Sequence, residues 1–427
     1  MTSRDIYRDG VDFSTLALQS PGFAKFLKPN NQLDFTDPNA VRQLTVSLLQ
    51  RDFNLKVEIP EARLCPPVPN RLNYILWLQD LLDTTGDKHC DGYDPNRTVT
   101  GLDIGTGCCC IYPLLGVSMR PKWQFIATDI DDENIQMSSQ TVKENGLVSR
   151  IRIVKTTHSN DFFPMNTLLG VERLDFTMCN PPFYSSRDEL VASAREKDRP
   201  PFSACTGAEV EMVTSGGEVS FVSRMIEESV QLREKILWYT SMLGKLSSVS
   251  ILVERLLSMG NSNYAVTEFV QGNKTRRWAI AWSWTDLRPS VSVARNIPTV
   301  PKHLLPFPSE YTFDLSNSTL EDVSKTINGE ISSLHINWIW HPDQTTGIGF
   351  ASENVWSRQY RRKMKMSGTE DKPEIDMKTA ALGFKVLLRV DPADEGAVRV
   401  VLRWLKGWDS VLFESFCGMV KRKVEGR

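Results

Sequence analysis

The sequence predicts an α/β protein with a doubly wound, mostly parallel sheet, followed by a smaller α+β domain. From about residue 99, short hydrophobic runs typical of strands alternate with amphipathic segments typical of helices. Such alternation indicates parallel strands joined by helical crossovers. Five prolines with little periodicity then lie between Arg288 and Glu310, and they predict a linker before the second domain.

The composition is that of a globular protein, and it narrows the functional classes. The chain has 427 residues, which suits two or three domains, and a net charge of −2. No apolar run reaches the roughly 20 residues of a membrane helix, and the first residues lack the apolar core of a secretory signal. We therefore expect a protein of the nucleus or cytoplasm, neither secreted nor membrane-bound. The eight cysteines form no CxxC pair, so no metal site is expected.

An N-terminal extension over residues 1–70 is predicted to be loop-rich with one clear helix. Thr36 or Asp37 can cap the free amides of this helix, and Pro38 suits its first turn. Apolar residues at helical spacing, including Val41 and Leu48, then form one face. A second helix, RLNYILWLQDLL, begins the predicted sheet domain, residues 71–288.

The sheet domain is predicted from strands that alternate with helices. CCCIYPLLGVSM is apolar and expected to be buried, and ENIQMSSQTVKENG, GGEVSFVSRMIEESVQL and VSILVERLLSMG are predicted helices. The predicted strands are, in order, TVTGLDI, WQFIATDI, RIRIV, LDFTMC, ILWYTSML, YAVTEFVQG and RRWAIAWSW.

After the linker, residues 289–310, the last domain is predicted over residues 311–427. Its predicted strands are YTFDL, LHINWIWH and FKVLLRV. Its predicted helices are TLEDVSKTINGEISSL, AVRVVLRWLKGW and DSVLFESFCGMVKRK.

The string GLDIGTG, residues 101–107, ends the first strand and opens a tight turn at the edge where open α/β sheets bind ligands. Gly105 and Gly107 allow close approach of the backbone to a ligand. A dinucleotide fingerprint would require glycine at Cys110, and Asp103 would repel a pyrophosphate. S-adenosylmethionine has no phosphate and carries cationic sulfonium and ammonium groups, so the acidic turn favours it. Asp129, which ends the second strand, can accept hydrogen bonds from both ribose hydroxyls.

The string Asn180-Pro181-Pro182-Phe183 follows the apolar strand LDFTMC and indicates the reaction. The exocyclic amine of adenine is a poor nucleophile because its lone pair is delocalised into the ring. The carbonyl oxygens of Asn180 and Pro181 can accept its two N–H bonds and direct the lone pair at a methyl group. Phe183 offers a face on which an extruded base can stack. By itself the string could also be a proline-stiffened loop.

These motifs resemble the methyltransferase-like 16 family, which methylates adenosine N6 in U6 small nuclear RNA, with bacterial relatives acting on ribosomal RNA. The resemblance covers roughly residues 30–285. It includes FTDPNAVRQLTVSLLQRDF, VPNRLNYILWLQDLL, GLDIGTGCCCIYPLLG, CNPPF, WYTSMLGKL and RRWAIAWSW. It implies a class I, Rossmann-like methyltransferase sheet with an RNA-binding N-terminal extension and a C-terminal RNA-binding domain.

The resemblance also implies roles for particular residues of this chain. Arg71 holds the cofactor's carboxylate, Gly105 contacts the cofactor, and Asp129 binds the ribose. Asn180 is shared by the cofactor pocket and the target amine. A cofactor-binding threonine of relatives corresponds to Asn160 here, while the preceding lysine is replaced by serine, which puts gating by that loop in doubt.

Three groups of basic residues are predicted to contact RNA. Arg199 lies in a polar, partly basic loop after the NPPF string, and Arg276 and Arg277 precede a strand. Arg361, Arg362 and Lys363 belong to a basic run in the last domain, where residues 351–427 carry 16 basic and 11 acidic side chains. Asymmetry of this kind favours phosphate binding. Alternatively, the basic runs are a hairpin edge and a helix face exposed to solvent.

The sequence thus predicts transfer of a methyl group from S-adenosylmethionine to adenine N6 of a structured RNA, and the resemblance implies that this RNA is U6 small nuclear RNA. Three alternatives remain: a ribosomal RNA substrate, a protein glutamine substrate whose amide poses the same lone-pair problem, and a non-catalytic cofactor sensor. Phe183 in place of tyrosine and the basic last domain favour RNA over glutamine.

Overall fold

A computed structural model of the chain describes residues 4–157, 161–165, 169–189, 207–271, 275–298, 300–367, 375–391 and 394–426. The chain divides into two compact units. Unit 1 comprises Met1–Leu82, Tyr93–Thr285 and Asn296–Leu304, and unit 2 comprises Asp83–Gly92, Asp286–Arg295 and Leu305–Arg427. The segment predicted as a linker is therefore divided between the units, and the predicted domain boundaries stay predictions.

The larger sheet has eight strands. They are β1 Val99–Ile104, β2 Trp123–Asp129, β3 Ile151–Lys155, β4 Leu174–Cys179, β5 Ile236–Leu243, β6 Tyr264–Gln271, β7 Thr275–Trp282 and β8 Arg295–Asn296. Their order is β3-β2-β1-β4-β5-β7-β6-β8. The first five pair in parallel, whereas β7 is antiparallel to β5 and β6. The strand order reverses between β1 and β4, and ligands bind at such switch points.

Nine helices are described in the first part of the chain. They are α1 Phe13–Gln19, α2 Pro21–Ala24, α3 Pro38–Phe53, α4 Val68–Asp83, α5 Ile111–Met119, α6 Asp132–Glu144, α7 Glu209–Met212, α8 Gly217–Leu232 and α9 Leu246–Ser258. As predicted, Asp37 caps α3 by accepting a hydrogen bond from the Asn39 amide, and Pro38 lies in the first turn. The apolar string after the glycine turn forms α5.

The centre of the larger sheet is packed tightly enough to explain one glycine of the motif. The rings of Phe125 on β2 and Phe176 on β4 meet edge to face at 5.5 Å. A Cβ at Gly101 of β1 would lie only 2.2 Å from Cζ of Phe176. Gly101 therefore provides space for this ring, and the motif's other two glycines serve the turn beyond.

Unit 2 contains a five-stranded antiparallel sheet. Its strands are β9 Glu310–Ser316, β10 Asn337–His341, β11 Thr346–Ala351, β12 Leu382–Asp391 and β13 Asp394–Lys406. They lie in the order β10-β11-β12-β13-β9. The helices of this part are α10 Val291–Ala294, α11 Leu320–Ser332, α12 Arg358–Ser367 and α13 Ser410–Val424. Among the described residues of both units, no helix is long and apolar enough to cross a membrane.

One element of the last domain was predicted wrongly. AVRVVLRWLKGW was expected to be a helix, but the chain there forms β13, which pairs with both β12 and β9. Val398, Val400, Leu402 and Trp404 are buried in one core cluster, as alternation along a strand requires. The three predicted strands and the other two predicted helices are confirmed, and β11 is an additional strand.

Candidate active site

A cavity of about 450 Å³ opens where β1, β2, β3 and β4 end. Its volume falls within the range of about 300–1,000 Å³ that is usual for small-molecule sites. The turn after β1, the end of β2, the loop after β4, and α7 and α8 all contribute to its lining. That lining includes Arg71, Gly105, Thr106, Gly107, Asp129, Phe162, Asn180, Pro182, Glu211, Phe221 and Arg224.

The turn after β1 depends on left-handed backbone. Gly105 and Gly107 have φ angles of 73° and 69°. The amides of Gly105 and Thr106 both donate to the Thr128 carbonyl at 2.9 Å, which folds the turn back onto β2. A Cβ at Gly105 would meet no atom within 4 Å, so this backbone faces open space. Cys110, where a dinucleotide fingerprint has its third glycine, is also left-handed, with φ 53°.

Asp129 holds the glycine turn as well as facing the cavity. Its Oδ2 accepts a hydrogen bond from the Gly107 amide at 2.9 Å. Its Oδ1 accepts from the Asp131 amide at 3.0 Å and from Nδ2 of Asn134 at 3.3 Å. A carboxylate has about four lone-pair sites, so acceptor capacity for a ribose hydroxyl remains. The predicted ribose contact stays a prediction, and the structure gives Asp129 an additional role in the turn.

Asp103 is fully buried behind the turn and does not form part of the cavity surface. Neither carboxylate oxygen makes a hydrogen bond of regular geometry with a described residue. Burial raises the pKa of Asp103 to about 7; the Thr106 hydroxyl and the Arg71 cation oppose this rise, and the Asp129 charge adds to it. A cation in the cavity would stabilise the ionised carboxylate.

The NPPF string lies beside the glycine turn, because β4 pairs with β1. Asn180 and Pro182 line the cavity, and Pro181 is buried behind them. The Asn180 Oδ1 atom is buried and has no hydrogen-bond partner among the described residues. Phe183 is half-buried, and the guanidinium carbon of Arg277 lies 5.5 Å from its ring centre.

Arg71 projects from α4 into the cavity wall. Its Nη1 donates to the Tyr112 hydroxyl at 2.8 Å and to the Met242 sulfur at 3.5 Å. Both bonds use the same nitrogen, so they fix the guanidinium while remaining compatible with a carboxylate on another edge. The predicted carboxylate contact stays a prediction.

Two walls of the cavity were not predicted from the sequence. The first contains Glu211 of α7, whose Oε2 accepts hydrogen bonds from the Leu64 amide at 3.0 Å and the Ala208 amide at 2.8 Å. The second contains Phe162, which lies 4.5 Å from the Phe221 ring and 4.0 Å from the Arg224 guanidinium carbon. Glu211 and Phe162 belong to no quoted motif, and GGEVSFVSRMIEESVQL, which contains Phe221 and Arg224, predicted only a helix; the three-dimensional structure brings these residues to the cavity.

The predicted RNA contacts are placed as follows. Arg276 pairs with the buried carboxylate of Glu268 at 2.9 Å. Arg277 lies over the Phe183 ring, as described above. Arg361, Arg362 and Lys363 are exposed on α12, and Lys363 lies 3.8 Å from Glu353. Asn160 and Arg199 lie outside the described residues.

The residues around the cavity fit S-adenosylmethionine. The cavity combines a buried amide oxygen that has no hydrogen-bond partner in the described part of the chain, a buried carboxyl group behind its wall, and a glycine turn open to a ligand. Acidic and amide oxygens complement a ligand with sulfonium and ammonium cations, and an arginine complements its carboxylate. The fold and the site together define a class I methyltransferase that acts on a planar, nitrogen-containing group.

Comparison with known proteins specifies the family. A family model described as RNA methyltransferase matches residues 1–286. Schizosaccharomyces pombe has a relative named U6 small nuclear RNA (adenine-(43)-N(6))-methyltransferase, which is 34% identical, with 92% of this chain and 96% of the relative covered. Human RNA N(6)-adenosine-methyltransferase METTL16 is 41% identical over 67% of this chain and 51% of its own length. This chain belongs to the RNA methyltransferase family, so the predicted family is confirmed.

Solved structures agree with the assignment. The catalytic domain of hMettl16 in complex with the MAT2A 3'UTR hairpin 1 is 40% identical, with a TM-score of 0.59 and coverage of 67% of this chain and 96% of that chain. The N-terminal domain of human METTL16 in complex with SAH is 38% identical, with a TM-score of 0.54 and coverage of 67% and 99%. The predicted methyltransferase fold is therefore confirmed.

Proposed function

We propose that this chain transfers a methyl group from S-adenosylmethionine to N6 of an adenine in U6 small nuclear RNA. The observation that carries the proposal is the junction of the two motifs. The open glycine turn at Gly105 and the partnerless Oδ1 of Asn180 lie around one cavity. The methyl donor and the amine that accepts the methyl group would therefore bind next to each other in one cavity.

The chain would contribute to the reaction mainly by positioning the adenine amine relative to the methyl donor. The Asn180 Oδ1 atom and the Pro181 carbonyl would accept the two N–H bonds of the adenine amine, which directs its lone pair away from the ring. Phe183 would support the base by stacking, worth about 1–3 kcal/mol. When bound, S-adenosylmethionine supplies an electrophilic methyl group. The product amine can release its proton to solvent, so the chain need not provide a general base.

The cofactor would be held from several sides. Arg71 is placed for its carboxylate, Asp129 for its ribose, and the backbone at Gly105 and Gly107 for close packing. Asp103 would act through space by stabilising the positive charge. We retain Asn160, by resemblance, as a further cofactor contact.

RNA would be bound beyond the cavity by basic residues. Arg277 lies next to Phe183 and is close to the place of the target base. Arg361, Arg362 and Lys363 offer exposed cations in unit 2, where phosphates can be neutralised. Arg276 and Arg199 remain proposed contacts, the first through a guanidinium that also pairs with Glu268. A small nuclear RNA substrate implies a nuclear location.

The test is a methylation assay with purified full-length protein, S-adenosylmethionine and a U6 transcript, followed by mass spectrometry of the nucleosides. We expect N6-methyladenosine. A transcript with guanine at the position that the relatives' names number 43 should give none. Methylated glutamine in a protein acceptor without methylated RNA would instead establish the glutamine alternative, and binding of S-adenosylmethionine without either product would establish a non-catalytic sensor.

A further inference from the structure

Glu218, near the start of α8, is buried beside the NPPF loop, and the string GGEVSFVSRMIEESVQL that contains it predicted a helix but no role for this residue. Its side chain is only 3% exposed. It accepts hydrogen bonds from the Gly244 amide at 2.6 Å, the Lys245 amide at 3.1 Å and the Ser248 hydroxyl at 2.5 Å. All three donors belong to the turn and first residues that lead from β5 into α9, so this carboxylate fixes that turn.

The turn held by Glu218 forms the support behind the Phe183 ring. A Cβ at Gly244 would lie 3.0 Å from Cδ1 of Phe183, 3.4 Å from its Cε1 and 3.2 Å from Oε2 of Glu218. Gly244 does not have a positive φ, so glycine serves close packing here: a larger residue would require the Phe183 ring or the Glu218 carboxylate to move slightly. The edge of the Phe183 ring, Gly244 and the Glu218 carboxylate therefore pack against one another in that order.

A second connection ties the same turn to the loop after Phe183. The Lys245 ammonium lies 3.0 Å from Oε1 of Glu189. The other Glu189 oxygen accepts from the Ser185 amide at 2.7 Å and from its hydroxyl at 2.6 Å. The β5–α9 turn therefore contacts the NPPF loop at the Phe183 ring and again at Glu189, six residues further along the chain.

We propose that Glu218 is a positioning residue for methyl transfer, because it holds Gly244 against Phe183 and so fixes the ring on which the target adenine stacks. The inference rests on the proposed function, since it assigns the ring that role. A carboxylate is suited to the task because it can satisfy two backbone amides and a hydroxyl at once. Glutamine would retain only one acceptor oxygen.

The alternative is that Glu218 only stabilises the start of α9, and a double-mutant cycle separates the two. The single-turnover rate of methyl transfer to a U6 transcript is measured at saturating S-adenosylmethionine for wild type, E218Q, F183A and the double variant. We expect E218Q to lower the rate about 10- to 100-fold in the wild-type background, as a small misplacement can. In the F183A background it should change the rate by less than about twofold.

Two further variants keep the test decisive. Gly244→Ala inserts a methyl group between ring and carboxylate, so it should slow wild type but be tolerated once Phe183→Ala has removed the ring. Glu227→Gln removes an acid from the same helix, where it is half-exposed and paired with Arg255, and should leave the rate unchanged.

The outcomes distinguish this inference from the proposed function. Equal rate losses from E218Q in both backgrounds, or a matching loss of S-adenosylmethionine affinity by calorimetry, would overturn the role of Glu218 alone. If F183A itself methylates at the wild-type rate, the stacking assignment in the proposed function is wrong, and the positioning role falls with it.

Discussion

The buried polar groups of the two sheets differ in the hydrogen-bond and ion-pair partners that they have within the fold. At the carboxyl edge of the larger sheet, Asp103 and Asn180 keep buried oxygens without a hydrogen-bond partner among the described residues. In unit 2, the terminal nitrogens of the buried Arg403 donate to the carbonyls of Thr84 and Arg288 and pair with Asp91, although its Nε has no hydrogen-bond partner among the described residues. Leaving a buried group unsatisfied costs about 1–3 kcal/mol. An unsatisfied oxygen that lines a cavity, as that of Asn180 does, therefore indicates a ligand site, whereas a charge that is paired within the fold, as that of Arg403 is, indicates a structural role.

The largest effect is expected at Asn180, whose buried oxygen has no hydrogen-bond partner among the described residues. Asn180→Ala removes the partnerless oxygen that would orient the amine, so methyl transfer should fall by about 100- to 1,000-fold. RNA affinity, measured by filter binding, should change little because phosphate contacts lie elsewhere. Asn96→Ala, a change at an exposed position in the turn before β1, is the control. A rate near that of wild type would show that the oxygen is not used in the reaction.

The same difference explains what sequence reasoning could predict. Two turns at the edge of the larger sheet have short-range signals in the sequence. Gly105 and Gly107 adopt left-handed backbone, and Asn180 directly follows an apolar strand. Glu211 and Phe162 could not be predicted, because they reach the cavity only through tertiary packing.

In unit 2 the signal at β13 was ambiguous. Val398, Val400, Leu402 and Trp404 alternate as in a strand, but Ala397 and Leu405 of the same strand are buried as well. The apolar residues therefore also satisfied a helical spacing. The run contains three cations, and each is paired with a distant acid: Arg399 with Asp314, Arg403 with Asp91 and Lys406 with Asp286. Long-range ion pairs of this kind leave no local pattern.

Removing a charge that is paired within unit 2 should lower the stability of the fold without changing the affinity for S-adenosylmethionine. Asp91 pairs with Arg403 and with Lys385, the latter at 2.9 Å. Asp91→Asn would leave two largely buried cations without their anion, and unfolding free energy should fall by about 2 kcal/mol, less than for a fully buried pair because Asp91 is partly exposed. Denaturant melts measure this, with Asp343→Asn, at an exposed position, as control. A matching loss of S-adenosylmethionine affinity would contradict the contrast.

Asp129 combines both properties, because its carboxylate accepts hydrogen bonds within the fold and also lines the cavity. Asp129→Ala would remove the proposed ribose acceptor and the bond to the Gly107 amide. Charge-assisted bonds are worth about 1.5–3 kcal/mol, so calorimetry should show S-adenosylmethionine affinity about 10- to 150-fold weaker. Asp132→Ala, at an exposed position paired with Lys155, is the matched control. Equal affinities for both variants would exclude Asp129 from the cofactor site.

Asp103 should make cofactor binding pH-dependent. Burial raises its pKa to about 7 from 3.8, so in the free protein the carboxyl is protonated below that pH. The unfolding free energy falls as pH rises from about 4 to 7, because the unfolded chain releases the proton that the folded protein keeps. A cationic ligand prefers the carboxylate. S-adenosylmethionine affinity should therefore increase by up to about tenfold per pH unit below 7 and level off above it.

The control for this dependence is Asp103→Asn, which is close in shape and cannot ionise. Its S-adenosylmethionine affinity should be weaker and nearly constant between pH 6 and about 8. Calorimetry in two buffers of different ionisation enthalpy would also detect proton release on binding to the wild type near neutral pH. Parallel pH curves for the two proteins would mean that Asp103 does not interact with the cofactor.

The smallest effect concerns the exposed cations of unit 2. Replacing Arg361, Arg362 and Lys363 of α12 by alanine should weaken U6 RNA binding and make the dependence of log affinity on log salt shallower. The expected change is about 0.9 per lost phosphate contact for a duplex, taken from DNA, or about 0.7 for a single strand. Lys122→Ala and Lys143→Ala are controls, since these exposed lysines lie at the start of β2 and the end of α6, away from the cavity edge. If all slopes are identical, α12 is an ordinary exposed helix face and its three cations do not contact RNA phosphates.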